Sequence, residues 1–106
     1  MNPMDNQDPR SAPTAFTAVS VVPTPASARY AKQLAAHLGR KAEIRDEAHG
    51  TRILLAGGDC LLTATQNALI LEAHGPDQET LDRVAEVVGR HLERFGQRNE
   101  LVVVWR

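Results

Sequence analysis

The sequence is short of several things, and each shortage closes off a class of protein. Cys60 is the single cysteine, so no intrachain disulfide can form and a reducing compartment is expected. Only four side chains are Phe, Trp or Tyr, which leaves core building to aliphatic residues. No run approaches the ~20 apolar residues of a membrane-spanning helix. The opening MNPMDNQDPRSAP lacks the basic start and apolar stretch of a secretory leader. A cytoplasmic protein with no membrane partner is therefore expected. Neither sign of charge is in excess: twelve Lys and Arg stand against thirteen Asp and Glu, a formal net charge of −1. Nucleic-acid binders gather basic residues on one face. Here Arg83, Arg90 and Arg94 lie among carboxylates, and Glu79–Arg83 and Glu86–Arg90 have the favoured i,i+4 order. No nucleic-acid partner is expected.

Signatures of chemistry are scarce too. There is no HExxH or His-x-His spacing to hold a metal. Gly57-Gly58-Asp59 lacks the spacing of a phosphate loop and lies between two strands rather than between a strand and a helix. No catalytic residue and no cofactor are assigned from these motifs, and any metal is unknown.

What is present reads as one α+β domain. Residues 1–13 hold three prolines and no large aliphatic residue, the composition of a flexible tail. The domain is expected over 14–106. Thr14 to Val22 is rich in β-branched residues, and Pro23 and Pro25 end that strand. Ser27 is placed to cap a helix reaching about Leu38, with Tyr30, Leu34, His37 and Leu38 on one side and Gly39 at its end. Four short strands follow, near 42–47, 51–56, 59–65 and 68–74. His49-Gly50, Gly57-Gly58 and Gln66-Asn67 fit hairpin turns between them. These turns place Ile53, Leu55, Cys60, Leu62, Leu69 and Leu71 on one face.

Gly75-Pro76-Asp77 opens a long helix whose apolar stripe is Leu81, Val84, Val88, His91, Leu92 and Phe95. Leu101 to Trp105, apolar throughout, is expected as a last strand, interior or covered on both faces. The order β-α-β4-α-β implies a curved antiparallel sheet with both helices on one face. That order is similar to the TATA-binding-protein-like and helix-grip folds, in shape and not in DNA binding.

Candidate site residues come from polar groups where apolar ones belong. His37 and His91 each occupy the apolar side of a helix, and the two rings can meet if both helices cover one sheet face. With His49-Gly50 as a two-residue turn, Asp46 faces Ile53 and points toward the core, while Glu47 pairs outward with Arg52. A longer turn leaves Asp46 in water. Cys60 points inward, where a thiol behaves as a small hydrophobe. Tyr30 joins His37, Asp46, Cys60 and His91 as a candidate ligand-binding residue. On the outer face, Asp59 and His74 are cross-strand neighbours, and Leu54, Leu61 and Ile70 are candidates for a protein interface.

RYAKQLAAHLGRK (Arg29 to Lys41), the GGDC turn (Gly57 to Cys60) and VVGRHLERF (Val87 to Phe95), with the strand ending in Trp105, together resemble a bacterial family. That family is of the DUF2218 type, a domain of unknown function found alone or attached to siderophore-interacting, flavin-dependent ferric reductases. The resemblance spans about Ala15 to Trp105. It implies no catalytic residues, and it matches His37, His91 and Cys60 to positions in its motifs. Its members often carry a further histidine after the first helix, where this chain has Gly39-Arg40-Lys41. The resemblance therefore implies an accessory part in iron or siderophore handling, with such a reductase as partner. The alternatives are a homodimerisation domain using the outer sheet face and an enzyme using histidine acid–base chemistry.

Overall fold

Side-chain alternation along the strands decides the architecture, because a strand can be apolar on one face only if every second residue is. The computed structural model describes residues 16–106. The tail expected at 1–13 and the first two residues of the expected first strand, Thr14 and Ala15, lie outside them. The element order is β1 (Phe16–Pro23), α1 (Ser27–Leu38), β2 (Glu43–Glu47), β3 (Gly50–Leu55), β4 (Gly58–Ala64), β5 (Ala68–Gly75) and α2 (Gln78–Phe95). A 3-10 turn at Gln97–Asn99 follows. The strands form one antiparallel sheet in the order β1-β5-β4-β3-β2.

Both helices lie on the face that carries Ile53, Cys60, Leu62, Leu69 and Leu71, and they close the core with Tyr30, Leu34, Leu81, Val84, Val88 and Leu92. Leu62 and Leu71 are 1% and 0% exposed, so the expected face is the buried one. The β4–β5 hairpin has the expected register, with Leu62 opposite Leu71 and Cys60 opposite Ala73.

The other two hairpins differ from expectation by the same step. Their two-residue turns are Ala48-His49 and Ala56-Gly57, since Glu47 pairs with Gly50 and Leu55 with Gly58. Each expected register is therefore out by two residues, which leaves every side chain on its expected face; a slip of one would have reversed them all. The reason is steric. A Cβ on Gly50 would lie 2.1 Å from the Leu62 carbonyl oxygen, and one on Gly58 would lie 2.2 Å from that of His74. Both glycines serve close strand approach, not the bends. Ala56 accepts the left-handed conformation (φ 55) beside Gly57 (φ 90) instead.

Two further expectations are corrected. The cap position of α1 is Ala26, not Ser27, and among the described residues no side chain caps this helix. The Ser27 hydroxyl instead donates to the Thr65 carbonyl, tying α1 to the β4–β5 turn. In α2 the cap is Asp77, accepting from the Thr80 N–H at 2.7 Å. That bond holds its carboxyl below the usual aspartate range.

Leu101 to Trp105 is not an interior strand. It runs past the β1 edge, where Val19 and Arg106 exchange two backbone hydrogen bonds. Leu101, Val103 and Trp105 pack against the core, while Val102 and Val104 are 62% and 63% exposed. An all-apolar run can thus be covered on one side only when it lies at the rim of a sheet.

Candidate functional site

The helix seam brings His37 and His91 together. The α1 and α2 stripes both face the sheet, and each histidine falls at the margin of its stripe, where the two helices meet. Their ring centroids are 4.9 Å apart. Phe95 lies edge-on to His37 at 5.5 Å and 6.4 Å from His91. His37 is exposed and His91 half-buried. The Nδ1 of His91 lies 2.7 Å from the Val87 carbonyl oxygen. A carbonyl can only accept, so Nδ1 carries the proton and Nε2 is the free nitrogen of the neutral ring.

The other candidates do not join them in one site. Asp46 shares the strand face of Ile44 but sits opposite Thr51 at the exposed end of β2. Water solvates its carboxylate there, which corrects the inward reading. Cys60 is sealed in the core at 0% exposure, and burial, followed by the nearby Asp59 charge, pushes its thiol up to about 12. Such a thiol stays protonated and is neither nucleophile nor ligand. Tyr30 is buried, and its hydroxyl accepts from Asn99 Nδ2 at 2.7 Å, fastening the 3-10 turn to α1. Among the described residues no group of three or more His, Cys, Asp or Glu side chains is placed to hold a metal ion.

The outer sheet face is more organised than a pair of neighbours. Arg52 donates to both carboxylate oxygens of Glu47, at 2.7 and 3.1 Å, and through Nη1 to Asp59 at 2.6 Å. The Glu47 bond, opposed by burial and helped by Asp59, drives the guanidinium further above its ordinary range, and the same bond holds Glu47 below its own. His74 places Nδ1 2.9 Å from Asp59 and Nε2 3.3 Å from Glu72. Both the Glu47–Arg52 pair and the Asp59–His74 pair were expected. Their fusion into one chain through a shared Asp59 oxygen was not, because it depends on three strands lying side by side. Beside this network an aliphatic diagonal runs from Val21 through Ile70 and Leu61 to Leu54. The three expected interface residues are half-buried there, and Val21 is 59% exposed.

Reading the sequence missed one further group. Arg29, Arg94 and Arg98 line a concavity between α1 and the end of α2. A signal did exist. Arg83 and Arg90 each have a glutamate four residues earlier and bond to it at 3.1 and 3.2 Å, whereas Arg94 follows Arg90 and Arg98 follows Arg94 at that spacing.

No helix among the described residues is long and apolar enough to cross a membrane. Comparison with curated proteins finds no match. Among solved structures the chain is similar to PA4090 from Pseudomonas aeruginosa, determined by NMR. The two are 28% identical, with a TM-score of 0.71, over 86% of this chain and 95% of that one. Over residues 19–106 the sequence fits the model of DUF2218, "uncharacterized protein conserved in bacteria", and the chain belongs to that family.

Proposed function

We propose that the domain is a non-enzymatic accessory module that binds a small ligand on the open side of its helix layer, at His37, His91 and Phe95. The observation that supports this is the meeting of two imidazoles from different helices, 4.9 Å apart between centroids, against an aromatic ring. Two imidazoles with no third donor beside them among the described residues make a poor cage for a bare ion. They suit a metal that arrives already chelated, touched at the surface of its chelator by stacking and by a free ring nitrogen. Ferric complexes are the class favoured by the resemblance to domains attached to ferric-siderophore reductases, and such a reductase is the natural partner. The test is an NMR titration with ferric ion, haem and a ferric siderophore. Selective perturbation of the His37 and His91 ring signals, lost in His37→Ala/His91→Ala, is expected. Undisturbed rings through all three titrations remove the site.

A second reading has its own observation. Val21, Val102 and Val104 are exposed at the sheet rim, and Val21 continues inward along the aliphatic diagonal. A second copy of the chain seated on this face would cover them. Light scattering decides it: a dimer that Leu61→Asp dissociates is expected, and a monomer at high concentration overturns the reading.

A further inference from the structure

We infer that the concavity between α1 and the end of α2 is a binding site for a small molecule carrying two or more carboxylate or phosphate groups. Among the described residues its lining contains three arginines and no carboxylate. In a chain whose charges nearly balance, that is a local concentration of one sign. The three guanidiniums come from three separate elements: Arg29 from the first turn of α1, Arg94 from the last turn of α2, and Arg98 from the 3-10 turn. Among the described residues none of the three is in an ion pair, whereas Arg45, Arg52, Arg83 and Arg90 all are. Like charges gathered without a counter-charge repel one another, and an anion bridging them relieves that repulsion.

The helix ends do not reverse the sign. The end of α2 contributes about half a negative charge and the uncapped start of α1 about half a positive one, against three full positive charges. Arg94 alone is explained as a counter-charge to the α2 terminus, but that leaves Arg29 and Arg98 unaccounted for. The concavity is also built rather than accidental. Arg29 stands over the ring of Tyr30 at 5.4 Å, and Tyr30 is in turn held by Asn99. Phe95 supplies an apolar side to the same lining. The space, about 480 Å3 and open to solvent, matches a small molecule. Guanidinium forks bind carboxylate and phosphate through paired hydrogen bonds, so several anionic groups on one molecule engage several arginines. This site shares Phe95 with the imidazole pair but does not depend on that pair binding anything.

The experiment is an amide NMR titration of the full chain at constant ionic strength with citrate, with inorganic pyrophosphate, and with acetate as a monoanion. Saturable shifts centred on Arg29, Arg98 and Asn99 are expected with citrate or pyrophosphate, and which of the two binds tighter distinguishes a carboxylate site from a phosphate site. Arg29→Gln/Arg94→Gln/Arg98→Gln should weaken binding by about tenfold or more, and Arg98→Gln alone by roughly threefold. Arg83→Gln/Arg90→Gln, which removes two arginines that already have partners, should leave binding unchanged. The inference is overturned if neither polyanion gives saturable shifts. It is equally overturned if acetate matches them, or if Arg98→Gln and the control double variant behave alike. The single variant keeps the test decisive should the triple variant not fold.

Discussion

On its helix-covered face the sheet carries Ile53, Cys60, Leu62, Leu69 and Leu71, each at 1% exposure or less. Their neighbours along the same strands, Arg52, Asp59, Glu72 and His74, build an ion-paired network on the other face. Identical backbone pairing therefore supports two kinds of cohesion. The covered face is held by volume, since an aliphatic core close-packs and tolerates no gap. The open face is held by charge at partial exposure, where water and salt weaken every pair. Removing a methyl group should matter on the first face, and changing salt or pH on the second.

The largest break is expected from Leu62→Ala or Leu71→Ala, each costing about 2–5 kcal/mol in denaturant unfolding. A loss below about 1 kcal/mol would mean that this face is not the core. Next comes alkaline pH, through Cys60. Its folded pKa is raised, so below 9.0 the buried thiol costs nothing, and above it the unfolded chain ionises first. Stability should then fall by as much as about 1.4 kcal/mol per pH unit toward about 12. Cys60→Ala should lack that part of the slope, and equal slopes for the two proteins would contradict the burial.

On the open face Arg52→Leu should cost about 1 kcal/mol, and less at high salt, because Glu47 and Asp59 lose their shared partner. Glu47 and Asp77 are both held below their ordinary values of 4.5 and 3.8. The stability they contribute is therefore present at neutral pH and disappears as pH falls below those values. In Arg52→Leu the Glu47 part of this acid limb should vanish and the Asp77 part remain. The smallest effect sharpens the comparison from the covered side. Ser20 is 1% exposed there and its hydroxyl has no hydrogen-bond partner among the described residues. Ser20→Ala should be neutral or stabilising by up to about 1 kcal/mol, since an unsatisfied buried hydroxyl is itself a penalty. A marked loss would show that the hydroxyl has found a partner.

The candidate sites were legible to different depths. That His37 and His91 can meet followed from two stripe positions and one shared sheet face. How they meet, at the margin and not beneath the helices, depends on the helix crossing, which periodicity does not encode. Asp46 stayed open between core and water, because exposure near a strand end depends on what packs over it, and the fold puts it in water. The arginine group left a faint trace, the missing glutamates four residues before Arg94 and Arg98, while Arg29 lies about sixty-five residues away from them in the chain.

Local chemistry in the sequence determined the five strands and two helices up to Phe95, the opening of α2 at Gly75-Pro76-Asp77, and which side of each strand is apolar. These properties depend on neighbours within a few residues, and alternation survives a two-residue register error. Only the tertiary structure decided that Gly50 and Gly58 belong to strands, because the groups forbidding a Cβ there come from Leu62 and His74. It also decided that Leu101 to Trp105 lies along the rim, since whether an apolar segment is covered on one side or two depends on what else packs there. The convergence of charges from distant elements is likewise a property of the folded chain alone.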